Sequence, residues 1–268
     1  MVIDGYLMES EAEARRLDVK TDPKVVERQA LWAGLKPGMR VADLGCGSGK
    51  TTFCLKKLAG KAGEAVGIDN ATQRIDFAKK NYSTEGIDFL LEDIRSDLSH
   101  LGKFDFVWMR FVLEYYGPTA YEIVQNISKL IKPGGVLCLI DLDYNCLTHF
   151  GLPKRLESAI LGIRKVLEKT AGFDPYAGRK LYSYLYDMAY DDLDVSVAAH
   201  HLIFGELKDV DAFNWTQKVV VGAKLSGYTF DDYEGGYEEF FEEFKTIFSH
   251  PRRFTYTPVI LCRGKKPI

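Results

Sequence analysis

The segment Val41-Ala-Asp-Leu-Gly-Cys-Gly-Ser-Gly-Lys50 constrains this chain more than any other. A short apolar run leads into a turn with glycine at 45, 47 and 49, and helical periodicity begins near Lys50. A strand feeding a glycine-rich turn and then a helix is how α/β proteins present backbone N–H groups to a nucleotide-like ligand. Two well-known loops of this kind fail on spacing. A P-loop places four residues between its first glycine and Gly-Lys-[Ser/Thr], whereas three separate Gly45 from Gly49-Lys50-Thr51. The dinucleotide fingerprint places two residues between its second and third glycines, and here one residue separates Gly47 from Gly49. The turn is tighter than either.

Further strands follow at regular intervals. Glu64-Ala-Val-Gly-Ile-Asp69 is a second apolar run ending in an acid, 24 positions after Gly45. That is near the offset of about 20 residues at which a carboxylate reaches ribose hydroxyls. The structural alternative is that Asp69 caps the helix starting near Ala71. Ile87–Leu91 is a third strand, followed by Glu92-Asp93-Ile94. Phe104–Met109 is a fourth, and Lys132-Pro-Gly-Gly135 precedes a fifth, from Val136 to Leu142.

Taken in order over residues 39–142, these segments resemble the motifs of the class I S-adenosylmethionine-dependent methyltransferases. The resemblance implies a site for that cofactor. Asp43 with Gly45, Cys46, Gly47 and Gly49 would hold its methionine end, and no pyrophosphate nest is needed. Asp69, flanked by Asn70 and Arg74, would serve the ribose, and Asp93 and Ile94 the adenine. Backbone around Met109 and Arg110 would accept from the cofactor's amino group. Arg110-Phe-Val-Leu-Glu-Tyr-Tyr116 resembles the Arg-x-Val-Leu-Glu-His segment of small-molecule members from quinone and sterol biosynthesis, with Tyr115 where His is frequent. Tyr6 and Arg16 resemble an N-terminal Tyr…Arg-Leu segment that folds over the cofactor in some relatives. The Asn-Pro-Pro-Tyr type tetrapeptide used on amide and base nitrogens is absent after the fourth strand.

The expected fold is α/β: a doubly wound, mostly parallel seven-stranded sheet, Rossmann-like, with the last strand antiparallel. Residues 1–36 read as a helical N-terminal cap and 37–268 as the methyltransferase domain, with helical lid insertions at about 145–190 and 207–250. Helical periodicity covers 8–17, 22–34, 153–171, 179–190, 207–226 and 231–249. Asp194–Ile203 and Val259–Arg263 would form the closing hairpin, with Pro258 expected at its strand's start because proline inside a central strand loses a ladder bond. Aromatics concentrate in the expected lid. The tyrosines at 182, 184, 186 and 190 suit a pocket or a rim, and the Phe stripe through 240, 244 and 248 suits core packing.

Composition narrows the partners. Thirty-five basic against 38 acidic residues leave a net charge of −3, which argues against a dedicated nucleic-acid surface. Five cysteines without a Cys-x-x-Cys pair support no zinc site, and no metal is expected. No apolar run approaches the roughly 20 residues of a membrane span, and the N-terminus has no signal-peptide pattern. A cytoplasmic monomer or homodimer acting on a small-molecule methyl acceptor is the expectation. A non-catalytic cofactor-binding subunit and a protein methyltransferase are the alternatives. Glu114, Tyr115, Asp141, Asp143 and the His200-His201 pair lie near strand ends as candidate bases. Strand alternation would send the two histidines to opposite faces, and no catalytic base is assigned.

Overall fold

The computed structural model describes residues 11–268, so Tyr6 lies outside the described residues. In chain order the elements are α1 (Glu11–Lys20), α2 (Pro23–Ala33), β1 (Arg40–Leu44), α3 (Lys50–Ala59), β2 (Glu64–Asp69), α4 (Thr72–Tyr82) and β3 (Ile87–Leu91). Then come β4 (Phe104–Arg110), α5 (Ala120–Ser128), β5 (Ile131–Leu142), β6 (His149–Phe150), α6 (Lys154–Ala171) and α7 (Leu181–Asp187). The chain closes with β7 (Asp191–Ile203), α8 (Asp209–Ser226), α9 (Gly236–Ser249) and β8 (Phe254–Lys265).

The main sheet runs β3-β2-β1-β4-β5-β8, with β7 on the far side of β8. β1 to β5 are parallel, and β8 is antiparallel to both β5 and β7. This is the expected doubly wound sheet with one antiparallel strand. The two-residue β6, not anticipated from sequence, pairs with Thr255 and Phe254 beyond the point where β5 ends.

Strand alternation sorts the apolar residues onto two faces. Val41, Phe106 and Trp108 pack against Val26 and Ala30 of α2 and Leu55 of α3. Leu44, Ile68 and Val107 pack on the opposite face against Ile123 and Ile127 of α5 and Leu185 of α7. Both the N-terminal cap and the first insertion therefore divide. α2 and α7 belong to the layers covering the sheet, while α1 lies against α4 and α8. Of the tyrosines in and after α7, Tyr182 and Tyr186 face solvent, and buried Tyr190 shares a 2.7 Å hydrogen bond with Ser128. A separate apolar cluster joins α6, α8 and α9 through Leu156, Trp215, Phe240, Phe244 and Phe248, so the Phe stripe is core.

Pro258 sits inside β8, not at its start. Two features make room for its missing N–H. Pairing with β5 begins only at Val259, opposite Leu142, and β7 is irregular between Ala199 and His201, opposite Pro258 and Thr257. A proline is tolerated where the ladder is already interrupted.

Gly49 shows what the third loop glycine is for. Its φ is +84°, and an added Cβ would lie 2.6 Å from Ala78 Cβ and 2.9 Å from the Phe89 ring. The residue lets α3 start against α4 and β3. Gly49→Ala combines a left-handed backbone penalty with overpacking and is expected to cost about 2–4 kcal/mol. Urea denaturation checks this, and an unchanged midpoint would refute the packing role.

Candidate active site

In a doubly wound sheet the crevice opens beyond the carboxyl ends of the strands, where the winding reverses. Here the reversal lies between β1 and β4. A cleft of about 890 Å³, its solvent-open mouth included, lies there. Gly45, Cys46 and Gly47 form its floor, Asp69, Asn70 and Arg74 one wall, and Arg110 to Val112 another. Glycine is required at 45: φ is +74°, and a Cβ would meet Val112 Cγ2 at 2.4 Å.

The loop's amides do not face outward as the strand–turn–helix pattern suggests. Gly45 and Cys46 N–H both donate to Ile68 O, at 2.8 and 2.9 Å. Gly47 N–H donates to Asp69 Oδ2 at 2.9 Å and Gly49 N–H to Cys46 O at 3.0 Å. A polyphosphate arriving at this loop finds none of these four donors available.

Asp69 is not the N-cap of α4, which is Ala71, but it holds the segment leading into that helix and ties the floor to the wall. Its Oδ1 accepts from Ala71 N–H at 3.0 Å and from Arg74 Nε and a terminal nitrogen at 2.9 and 2.7 Å. The side chain stays at the cleft surface nonetheless. Other candidates are placed differently. Asp43 lies buried behind the loop, accepting from Thr52 Oγ1 at 2.6 Å. Met109 is buried in β4 and Gly49 in the helix junction. Asp93 turns to Arg95, which grips both its oxygens, while its neighbours Glu92 and Ile94 line the cleft. Arg16 is held by Glu13 and Asn214 and lines a second cavity.

That second cavity, about 1110 Å³ with its mouth, lies under α1, α6, α8 and α9. Its walls are mostly apolar, including Ile163, Leu167, Trp215, Phe240 and Phe244. Leu17, Lys20, Phe111 and Tyr115 line both cavities and so form the neck between them. Phe111 takes φ of +60°, a conformation non-glycine residues rarely hold. Its ring meets the Arg110 guanidinium at 4.1 Å and the His200 ring at 4.6 Å. Lys20, Phe111 and Glu92 escaped the sequence reading as site residues, because their meeting depends on tertiary packing, and His200, a candidate base from the sequence, joins them at the cleft.

The two histidines depart from the expected alternation. The irregularity in β7 brings their rings to 4.2 Å. His200 lines the cleft and His201 Nε2 meets Asn214 Nδ2 at 3.3 Å. Burial keeps both neutral, pulling His201 down to about 2. Among the other candidate bases, Asp143 is paired with Arg179 through both oxygens, and Asp141 holds the Glu114 and Leu142 amides. Glu114 lines the second cavity and accepts from Asn145. Burial also pushes the Cys46 thiol well up, leaving it a small loop residue and not a nucleophile.

Burial raises the Asp43 carboxyl from 3.8 to about 7, against the opposing pull of Thr52 and Arg110. The native state therefore keeps this proton to higher pH than the unfolded chain does. Its contribution to stability is full below about pH 4 and is lost as pH rises through about 7. Asp43→Asn removes the titration. Relative to the variant, the parent chain should lose about 2–3 kcal/mol between about pH 5 and pH 8. Parallel stability curves would contradict it.

Comparison with known proteins agrees with this geometry. Residues 35–173, just over half the chain, match the family model described as a methyltransferase domain. The chain is 32% identical over 114 residues to protein-L-isoaspartate O-methyltransferase 1 of Arabidopsis thaliana, covering 41% of this chain and 49% of that protein. It is 32% identical over 108 residues to demethylmenaquinone methyltransferase of Staphylococcus aureus, covering 40% of this chain and 44% of that protein. The match thus spans less than half the length of each relative. Among solved structures, phosphoethanolamine N-methyltransferase 2 of Haemonchus contortus, in complex with phosphomonomethylethanolamine and S-adenosylhomocysteine, shares the fold. Its TM-score is 0.58 at 12% identity, covering 97% of this chain and 58% of that one. With a crevice at the β1/β4 switch, a glycine floor and a family match from 35 to 173, the chain belongs to the methyltransferase domain family.

Proposed function

We propose that this protein transfers a methyl group from S-adenosylmethionine to a small, partly apolar acceptor. The observation that carries the reading is the pair of cavities meeting at Leu17, Lys20, Phe111 and Tyr115. One is glycine-floored with Asp69, Asn70, Arg74 and Glu92 in a mixed wall, and the other is a mostly apolar chamber, so donor and acceptor would meet at the neck. A methyl on a sulfonium is already electrophilic, so the cofactor supplies the reactive group and alignment is the main task left to the protein.

The residues fit a cationic nucleoside better than a nucleotide. The spent amides of Gly45, Cys46, Gly47 and Gly49 offer nothing to phosphate. Asp43 behind the loop would regain its charge beside a bound ammonium, because a nearby cation favours the carboxylate. We assign the methionine end to Asp43, the loop from Gly45 to Gly49, and the strand end at Met109 and Arg110. Asp69 Oδ2 accepts one amide and keeps a lone pair for a ribose hydroxyl, while Oδ1 is occupied by Ala71 and Arg74. Asn70 lies beside it. Glu92 joins Asp93 and Ile94 as the adenine edge, with Glu92 better placed than the Arg95-bound Asp93.

Residues 37–268 would be the methyltransferase unit. The cover over the neck is α1, which supplies Leu17 and Lys20, with Arg16 as part of the same helix. Excluding water there would protect the reacting centre. No helix among the described residues is long and apolar enough to cross a membrane.

Incubation with methyl-labelled S-adenosylmethionine and a low-molecular-weight metabolite extract tests the reading. Label is expected in organic-extractable small molecules, and Phe111→Ala is expected to lower the rate by about 10²-fold by loosening the neck. Label confined to protein would replace the small-molecule acceptor with a protein one. No transfer to any fraction, with cofactor still bound, would make the chain a binding subunit.

A further inference from the structure

The chamber carries more positive charge than an apolar pocket requires. Lys20 ends α1 at the neck, with its ammonium 5.4 Å from the Phe111 ring centre. It has no hydrogen bond or ion pair among the described residues. Lys218, on α8, donates to Asn145 Oδ1 at 3.1 Å and lies 5.2 Å from the Trp215 ring centre. The remaining charged groups facing the chamber are engaged. Arg16 is held by Glu13 and Asn214, and Arg164 by Glu168. Among the described residues Glu114 is the one carboxylate in the lining; it accepts from Asn145 and forms no ion pair with either lysine.

The neighbouring histidines add no further positive charge. His149, His200 and His201 are kept neutral by burial. Burial also holds Lys20 well below the ordinary lysine range, with Lys218 and Arg16 adding repulsion and Glu114 pulling the other way. A partly buried ammonium held in no ion pair is unfavourable. An arriving anion would relieve that cost at the place where the two cavities meet.

Building on the function proposed above, we propose that the acceptor's nucleophile is an anionic oxygen, phenolate or carboxylate, on an apolar body, held at the neck by Lys20 with Lys218 beside it. An acceptor arriving as an anion meets Lys20 in its ammonium form, and one arriving as a phenol gives its proton to Lys20 in its amine form. The oxygen's lone pair then forms the new O–C bond as the methyl carbon's bond to sulfur breaks, with that electron pair remaining on sulfur. Anion and sulfonium charges cancel, and Lys20 returns its proton to solvent. An ammonium-bearing acceptor would be repelled by Lys218 and by Lys20 in its ammonium form.

The probes are 4-nitrophenol, whose two protonation states absorb at different wavelengths, and the pair 2-naphthoate and 2-naphthalenemethanol. Each is titrated into the protein saturated with S-adenosylhomocysteine. Bound 4-nitrophenol should ionise at least one pH unit lower than in water, or 2-naphthoate should bind about tenfold tighter than the alcohol. The stronger of the two preferences distinguishes phenolate from carboxylate. Lys20→Met should abolish the preference while leaving alcohol binding and the melting temperature in place. Lys218→Met should reduce the preference. Absence of anion preference in both probes, or its survival in Lys20→Met, would overturn the assignment. A tenfold loss of S-adenosylhomocysteine affinity in Lys20→Met would also overturn it, by giving Lys20 to the cofactor. Failure of the parent chain to bind S-adenosylhomocysteine would instead defeat the methyltransferase reading beneath it.

Discussion

The carboxylate of Asp69 joins three segments that would otherwise move independently. It ends β2, accepts the Gly47 amide of the loop after β1, and accepts the Ala71 amide and Arg74 side chain at the start of α4. The floor and one wall of the cleft are therefore one hydrogen-bonded unit. Charge-assisted bonds of this kind are stronger than neutral ones, and buried polar groups at such a junction need all their partners. The same carboxylate that would face the cofactor is the one that shapes its site.

The opposite wall depends on a strained residue. Phe111 follows β4 in a left-handed conformation, anchored by its amide on Ile140 O at 2.9 Å, and its ring stands between the two cavities. Arg110, Lys20 and His200 crowd around that ring. Cations over an aromatic face lose less on leaving water than isolated ones do, so the ring accommodates charge that the apolar chamber alone would not. Backbone strain of order 1–3 kcal/mol persists only where its surroundings enforce it, and here the surroundings are the β4–β5 pairing and α1.

Much of this was legible in the sequence. The order of strands and the glycine turn gave the sheet, the position of the crevice and the family, because these follow from local pattern and chain connectivity. The length of β8 is not legible because proline reads as a strand boundary, and the irregularity in β7 that accommodates Pro258 has no local signal. The same irregularity defeated the alternation argument for His200 and His201. The direction of the loop amides was also hidden, since their partners, Ile68 and Asp69, come from another strand. Lys20 and Phe111 emerged only in three dimensions: a lysine at a helix end and a phenylalanine after a strand are unremarkable until they share a neck.

The central claim is that the glycine floor receives a cationic nucleoside and rejects phosphate. Calorimetric titration of the chain with S-adenosylmethionine, S-adenosylhomocysteine and ATP tests it most directly. Micromolar binding of the first two with no heat from ATP is the predicted result. ATP binding with the other two silent would contradict it, because the loop would then have to release amides that the structure shows bonded to Ile68, Asp69 and Cys46.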